Sequence, residues 1–335
     1  MKVYYIGRFV PHYGGVNIKN NLIFDSLKSK IYLKKIATDK TPKNVKNGIE
    51  LLNVVFSKTP KIIGISASRG KSLKLTKLFY KFNRKTMNDS IYFMMGGLEA
   101  GWIASDPEQI KIYSEYKKIY TETENMKNML LNTGMQNVAL YPNCRKRPIN
   151  DYPIQANRNE QLKCVFMSAI SCEKGVDIIL ESAKEVPNVE FYFYGHIDEK
   201  YEKKFINQIQ TMENVIYKGI FDGNKSDVYA ELGRYDVLLF PTKWKTEGVP
   251  GILVEGKIAG LTAIVSDMCY NAELVKDDKE GIVLKANNSD YLVEAINLLN
   301  NDRKLLFRLK QGSKNSAEKF YVDNYIDEIM ETLLK

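Results

Sequence analysis

Histidine and cysteine are scarce in this sequence: its 335 residues include two histidines and four cysteines. Neither His12 nor His196 has a His or Cys neighbour at ligand spacing. Cys144, Cys164, Cys172 and Cys269 are scattered and form no C-x-x-C pair. A zinc knuckle and a disulfide framework therefore both lack support, and reduced thiols are expected. No D-x-D occurs, and the acidic "KDDKE" at 276–280 has no Gly-rich calcium loop around it, so it reads as a solvated turn. The metal expectation is none. There is no G-x-S-x-G elbow, so a Ser-His-Asp hydrolase is unsupported. No stretch approaches the roughly 20 uninterrupted apolar residues of a membrane-spanning helix. The opening "MKVYYIGRFVPHYGG" reads as a first strand and turn, not a signal peptide. A cytoplasmic protein is the expectation.

What is present is a folded-protein composition, 44% hydrophobic and 27% charged, over a length that suggests two domains. The net charge of +9 conceals an asymmetry. Residues 1–150 hold 26 Lys+Arg against 10 Asp+Glu, or +16, which leaves −7 for the remainder. A basic half points to an anionic partner, whether nucleic acid, anionic lipid or a phosphorylated substrate. A well-solvated lysine-rich surface accounts for the same numbers.

Apolar runs alternate with helical periodicity along the chain. "KVYYIG", "KIYLKKIA", "KIIGISAS", "SIYFMMGG", "KIYTET" and "NVALYPN" read as strands of the first half. "KCVFMSAI", "VEFYFYG", "ENVIYKG", "DVLLFPT", "TAIVSD" and "GIVLK" read as strands of the second. Nearly uniform apolarity within each run is the mark of parallel strands covered on both faces. "NKSDVYAELGRY" reads as a helix capped by Ser226, and "PGILVEGKIAG" as one ending at Gly260. The prediction is an α/β chain of two doubly wound, Rossmann-like domains with a cleft between them. Residues 1–145 form the first domain, 146–161 a polar linker, and 162–318 the second. A terminal helix over 319–335 can cross back to the first domain. Ligands of such sheets sit at the carboxyl ends of strands, where loops feed helix N-termini.

"GISASRGKS" at 64–72 resembles a P-loop but has five residues between its glycines where four are needed. It reads instead as a helix start at which Arg69 and Lys71 offer positive charge. The helix that follows, 71–85, carries Leu75, Leu78, Phe79 and Phe82 on one side and mostly lysines on the other. It fits either a plain domain helix or one resting on an anionic bilayer. Three Gly-bearing turns after strands stand out: "HYGG" at 12–15, "SCEKG" at 171–175 and "TEGVPG" at 246–251. Glycine there lets the backbone approach a ligand, and Lys174 adds a charge suited to phosphate.

The second half resembles the retaining glycosyltransferases of family four, which have the GT-B fold. The resemblance is carried by "CVFMSAISCEKGVDIILESAKEVPNVEFYFYG", by the core around "DVLLFPTKWKTEGVPGILVEGKIAGLTAIVSD", and by an E-x7-E signature at Glu247 and Glu255. It spans residues 163–320, with a looser match in "FMMGG" at 93–97 and "YTETENMKNMLLNTGMQNVALYPN". It looks most like members that build bacterial capsule or exopolysaccharide units. The resemblance implies a UDP- or GDP-sugar donor in the second domain and a glycan acceptor, undecaprenyl-diphosphate-linked, in the first.

By position, Glu247 would hold donor sugar hydroxyls, Glu255 the ribose and Lys174 the diphosphate. Gly248, Val249, Pro250 and Gly251 would form the donor turn, with Gly195, Gly14 and Gly15 also on the donor side. Gly96, Gly97, Arg69 and Lys71 would face the acceptor. No cofactor or metal is implied, because lysine and helix dipoles replace the divalent ion. Nucleic acid is not an expected partner, while an anionic membrane surface is. Two departures stand out. The family usually carries an arginine five residues before the "EKG" lysine, where this chain has Ala169, and its acceptor-side histidine is not evident. Ala169 is the best argument for the alternative, a catalytically weak or non-enzymatic basic protein that binds anions or membranes.

Overall fold

Short runs of Val, Ile, Phe and Tyr become strands because their branched and aromatic side chains fill a pleated surface buried on both faces. The computed structural model describes residues 1–10, 15–38, 45–65, 69–155, 161–223 and 225–335. The chain divides into two units: Met1–Arg147 with Phe320–Lys335, and Pro148–Lys319.

The first unit holds β1 Lys2–Gly7, β2 Tyr32–Ala37, β3 Lys61–Gly64, β4 Ile91–Phe93, β5 Lys118–Thr121 and β6 Val138–Leu140. They form one parallel sheet in the order β2-β1-β3-β4-β5-β6. The last residues of the chain belong to this unit. The Arg145 amide donates to Phe320 O at 2.8 Å and the Val322 amide to Arg145 O at 3.0 Å. The helix Asp323–Leu334 then buries Ile326, Ile329 and Leu333 in the same core as Val3, Tyr5 and Leu22.

The second unit holds β7 Lys163–Met167, β8 Glu190–Tyr194, β9 Val215–Tyr217, β10 Val237–Phe240, β11 Thr262–Ser266 and β12 Gly281–Leu284. Its parallel sheet runs β12-β11-β10-β7-β8-β9. All twelve strands fall on the apolar runs read from the sequence. One detail differs. The helix Val228–Leu232 is capped by Asp227, not Ser226, and the Asp227 carboxylate accepts from the Tyr229 amide at 2.8 Å and the Ala230 amide at 3.3 Å. A carboxylate adds charge complementary to the helix N-terminus, which a serine hydroxyl lacks.

Each sheet has one place where the strand order reverses, and loops there part to opposite faces and leave a crevice. In the first unit it lies between β1 and β3, and in the second between β7 and β10.

Candidate functional site

The β7/β10 reversal brings two distant loops together. The loop after β7 is held by the loop after β10 through its backbone: the Lys243 amide donates to Glu173 O at 2.8 Å. Lys243 Nζ donates to both Asp177 carboxylate oxygens, at 2.9 and 2.8 Å, and lies 3.3 Å from Cys172 Sγ. Gly175 ends the first loop at φ 75°, in the left-handed region, and precedes the helix Val176–Glu185. A Cβ there would come within 1.9 Å of Pro241 O. No residue other than glycine fits that contact without moving one of the loops.

On this scaffold Lys174 Nζ donates to Glu247 Oε2, and the two side chains are only 14% and 15% exposed. The same ammonium lies 5.3 Å from the Trp244 ring and 5.7 Å from the Phe240 ring. Trp244 is exposed, with its indole N–H donating to Thr246 Oγ1. Cys269, at φ 54°, turns its thiol toward Lys245 O at 3.4 Å and Trp244 O at 3.6 Å, on the side of the loop that carries Glu247. Burial raises the Cys269 thiol pKa, so it remains protonated and donates.

Gly248 is half-buried, Val249 and Pro250 are buried, and Gly251 opens the helix Gly251–Ala259. No side chain caps this helix start, and the Leu253 amide donates to Pro250 O at 3.2 Å; an uncapped helix N-terminus favours an anion. Glu255 is half-buried in the same helix. Gly195 follows β8 at φ 146°, and a Cβ there would lie 1.8 Å from Ser168 O. Ala169, next to Ser168, is exposed.

In the first unit Gly14 lies outside the described residues, as does the Arg69 side chain. Gly15 is the exposed first residue of the helix Gly15–Leu27, and Lys71 is exposed near the start of Arg69–Met87. Gly96 is half-buried and Gly97 buried in the turn after β4. That turn is gripped from two sides. Lys19 Nζ donates to Met94 O and to Glu122 Oε1, both at 3.1 Å, and Glu99 Oε2 accepts from the Met95 amide at 3.3 Å. Tyr92 OH donates to Glu99 Oε1. Burial raises the Glu99 carboxyl to about 7 despite those two hydrogen bonds, with the Glu122 charge adding to the rise. At the β1/β3 reversal the Asn20 amide donates to Gly64 O at 2.7 Å and Arg8 O at 3.0 Å, while its oxygen accepts from Tyr5 OH at 2.8 Å.

The sequence reading missed Lys19, Asn20, Glu99, Glu122, Trp244 and Cys269. A signal was present for the first: Lys19 shares a four-residue spacing with Ile23 and Leu27, on the core side of its helix. Among the described residues no group of three or more His, Cys, Asp or Glu could hold a metal ion. Among them no helix is long and apolar enough to cross a membrane.

Residues 150–316 match the family model described as glycosyl transferases group 1. An Escherichia coli UDP-Gal:alpha-D-GlcNAc-diphosphoundecaprenol alpha-1,3-galactosyltransferase is 26% identical over 144 residues, 43% of this chain and 36% of the relative. A Campylobacter jejuni N,N'-diacetylbacillosaminyl-diphospho-undecaprenol alpha-1,3-N-acetylgalactosaminyltransferase is 32% identical over 96 residues, 29% of this chain and 24% of the relative. The chain thus spans well under half the length of these curated relatives. Among solved structures, Anabaena HepE in complex with UDP superposes with a TM-score of 0.73 at 13% identity, covering 99% of both chains. Sucrose-phosphate synthase from Thermosynechococcus elongatus gives 0.75 at 10% identity, covering 100% of this chain and 98% of the other. Likeness at that level of identity establishes a shared fold, the two-domain α/β GT-B fold.

Proposed function

The chain belongs, through residues 150–316, to the glycosyl transferases of group 1, and we propose that it moves a sugar from a nucleoside-diphosphate donor to a lipid-linked glycan precursor. The observation that carries this reading is the Lys174–Glu247 pair at the β7/β10 reversal. Transfer breaks the bond between the anomeric carbon and the diphosphate oxygen. It forms a bond from that carbon to an acceptor hydroxyl oxygen, whose proton leaves with the diphosphate. Negative charge grows on the leaving group, and a preorganised cation with nearby free amides stabilises it there. Lys174 and the uncapped start of Gly251–Ala259 supply both.

In this reading Glu247 turns from Lys174 to the sugar hydroxyls once the diphosphate takes the ammonium. Glu255 holds the ribose. Gly248 to Gly251 let the donor approach the backbone, with Gly195 and Gly15 at the ends of their strands' loops. The turn at Gly96 and Gly97 meets the acceptor, with Lys71 adding charge. Configuration at the anomeric carbon is retained. No divalent ion is required, and activity persists in excess EDTA.

Curated relatives named for diphosphoundecaprenol-linked substrates support a polyprenyl-diphosphate-linked acceptor. Neighbours solved with UDP and UDP-glucose support a uridine donor ahead of a guanosine one. The product is a cell-surface polysaccharide precursor, assembled on the cytoplasmic face of the membrane. The test is turnover of a panel of UDP- and GDP-sugars by the wild-type chain and by Glu247→Ala. Loss of turnover in a folded variant is the expected result, and unchanged turnover overturns the reading.

A second reading is a GT-B protein that binds anions without efficient catalysis. The exposed Ala169, standing where the family resemblance implies an arginine, favours it. Donor binding without turnover on any glycan acceptor would select this alternative.

A further inference from the structure

Trp244 is a large aromatic side chain held in water beside the two charges of the β7/β10 crevice. It is 43% exposed, while Phe240, at the end of β10, is 2% exposed. The sequence holds one other tryptophan, Trp102, which lies in the first unit and is half-buried. An indole has one polar atom, and here it is already satisfied: the N–H donates to Thr246 Oγ1, two residues on. Exposure of the ring therefore serves no hydrogen bond to water and leaves a broad apolar face hydrated, which costs free energy.

The backbone that presents this ring is fixed. The Trp244 amide donates to Thr242 Oγ1 at 3.2 Å. Its carbonyl accepts from the Glu247 amide at 3.2 Å and from the Cys269 thiol at 3.6 Å. Cys269 reaches it from the loop after β11 at φ 54°, a left-handed conformation that a cysteine adopts at a cost. Thr242 O accepts from Ser266 Oγ at 2.7 Å and from Asn287 Nδ2 at 3.1 Å. Groups at the ends of β11 and β12 thus steady the loop that carries the ring. A ligand that lies on a ring so held has little further ordering to supply, and ordering is where much of the cost of binding lies.

The ring faces charge. Lys174 Nζ sits over it, 5.3 Å from its centroid, and donates to Glu247 Oε2. The face of an aromatic ring is electron-rich, so it attracts an ammonium and, by the same electrostatics, hydrogen atoms that bear partial positive charge. The C–H bonds on the face of a pyranose supply such hydrogens, because nearly every ring carbon carries an oxygen. The sugar's hydroxyls spread around its rim, where a carboxylate can meet them.

We propose that Trp244 is the platform on which the donor's sugar ring lies, its C–H face on the indole, its hydroxyls at Glu247 and its diphosphate at Lys174. This platform rests on the reading of Lys174 and Glu247 as donor groups, and adds to it a contact that separates a nucleotide sugar from the bare nucleotide. Chemistry selects the sugar among the parts of the donor. A phosphate laid on the ring face would oppose like partial charges. The base is set apart from the diphosphate by the ribose, which the same reading gives to Glu255. The nucleoside diphosphate left after transfer has no sugar to stack, so the platform favours substrate over product.

The test is calorimetric titration of UDP-glucose, UDP-galactose and GDP-mannose, and of UDP and GDP alone, into wild type, Trp244→Ala and Trp244→Phe, each shown to be folded by its unfolding transition. For a donor that wild type binds, Trp244→Ala should lose about tenfold in affinity and Trp244→Phe should stay within about threefold of wild type. Affinity for the matching bare nucleotide should change by less than about threefold in both variants. Tryptophan fluorescence is a readout that a merely structural role would not move. Saturating donor should shift wild-type emission to shorter wavelength and lower its quenching by acrylamide about twofold or more, by covering the exposed indole. The bare nucleotide should do neither, and the change should vanish in Trp244→Phe, which keeps only Trp102. Equal losses of donor and bare-nucleotide affinity in Trp244→Ala overturn the proposal in favour of a ring that only steadies Lys174. Unchanged donor affinity in Trp244→Ala overturns it while the nucleotide-sugar reading stands, and failure of wild type to bind any of the three donors overturns both.

Discussion

Lys174 and Glu247 are 73 residues apart in sequence and form an ion pair, both largely withdrawn from solvent. In the proposed reading, the cation offered to a diphosphate is thus already neutralised by the carboxylate offered to the sugar. On that proposal a donor that takes Lys174 would free Glu247, so binding of one end of the ligand would prepare the group that meets the other.

This exchange gives an unusual expectation for Glu247→Gln. The amide keeps the shape of the side chain but competes for Lys174 only as a neutral acceptor, without the carboxylate charge. Affinity for free UDP or GDP should rise by about tenfold or more, the value of one charge-assisted hydrogen bond lost by the competitor. Sugar turnover should fall by about a hundredfold or more. Calorimetric titration of the nucleotide, paired with steady-state turnover, checks both signs.

Gly175→Ala should damage the fold and the site together. Its φ of 75° and the 1.9 Å approach of an added Cβ to Pro241 O leave no room without parting the two loops that carry Lys174 and Glu247. A loss of more than about 2 kcal/mol is expected in urea unfolding. Gly15→Ala is the control: nothing lies within 4 Å of an added Cβ there, and stability should stay within about 0.5 kcal/mol.

Ala169→Arg should strengthen donor binding. The residue is exposed at the end of β7 beside Ser168, five positions before Lys174. A guanidinium there that reaches the diphosphate should tighten binding by about tenfold or more. Calorimetry with a UDP-sugar measures it, against Ala169→Gln as the uncharged comparison.

Glu99 should make stability fall as pH rises. Its folded pKa of about 7 lies above the ordinary value of 4.5, so between those two values the folded state binds more protons than the unfolded one. Stability from this group is fully present below pH 4.5 and is lost as pH rises through 7. The total is on the order of 3 kcal/mol. The charges facing it are Glu122, which opposes ionisation, and Lys19, which favours it. Glu99→Gln should flatten that part of the unfolding profile measured from pH 5 to 8, and a profile unchanged by the substitution would contradict the account.

The strands were legible because each is buried on both faces, which writes it as an unbroken apolar run whatever its neighbours. Helix ends were less so: Ser226 and Asp227 are both good caps, and only local geometry selects the carboxylate. Two doubly wound domains followed from strand and helix alternation, and the GT-B fold and the family from the resemblance carried by the order of "EKG" and E-x7-E. The pairing of Lys174 with Glu247 was not legible, because it depends on β7 lying beside β10 in the sheet. Lys19 and Glu99 were hidden for a related reason: their partners, Met94, Met95 and Glu122, come from other elements. The helix 71–85 had been open to two readings. Its Leu75 and Phe79 are core, and its exposed Phe82 lies with its ring 5.4 Å from that of Phe56 on another helix, a neighbour that sequence spacing does not show.

The claim that Lys174 holds a nucleotide-sugar diphosphate is tested most directly by titrating UDP-glucose, UDP-galactose and GDP-mannose into wild type and Lys174→Ala by calorimetry. The account predicts that at least one donor binds the wild type and binds the folded variant about ten- to a hundredfold more weakly. Equal affinity for both proteins, or no binding of any donor to the wild type, would contradict it.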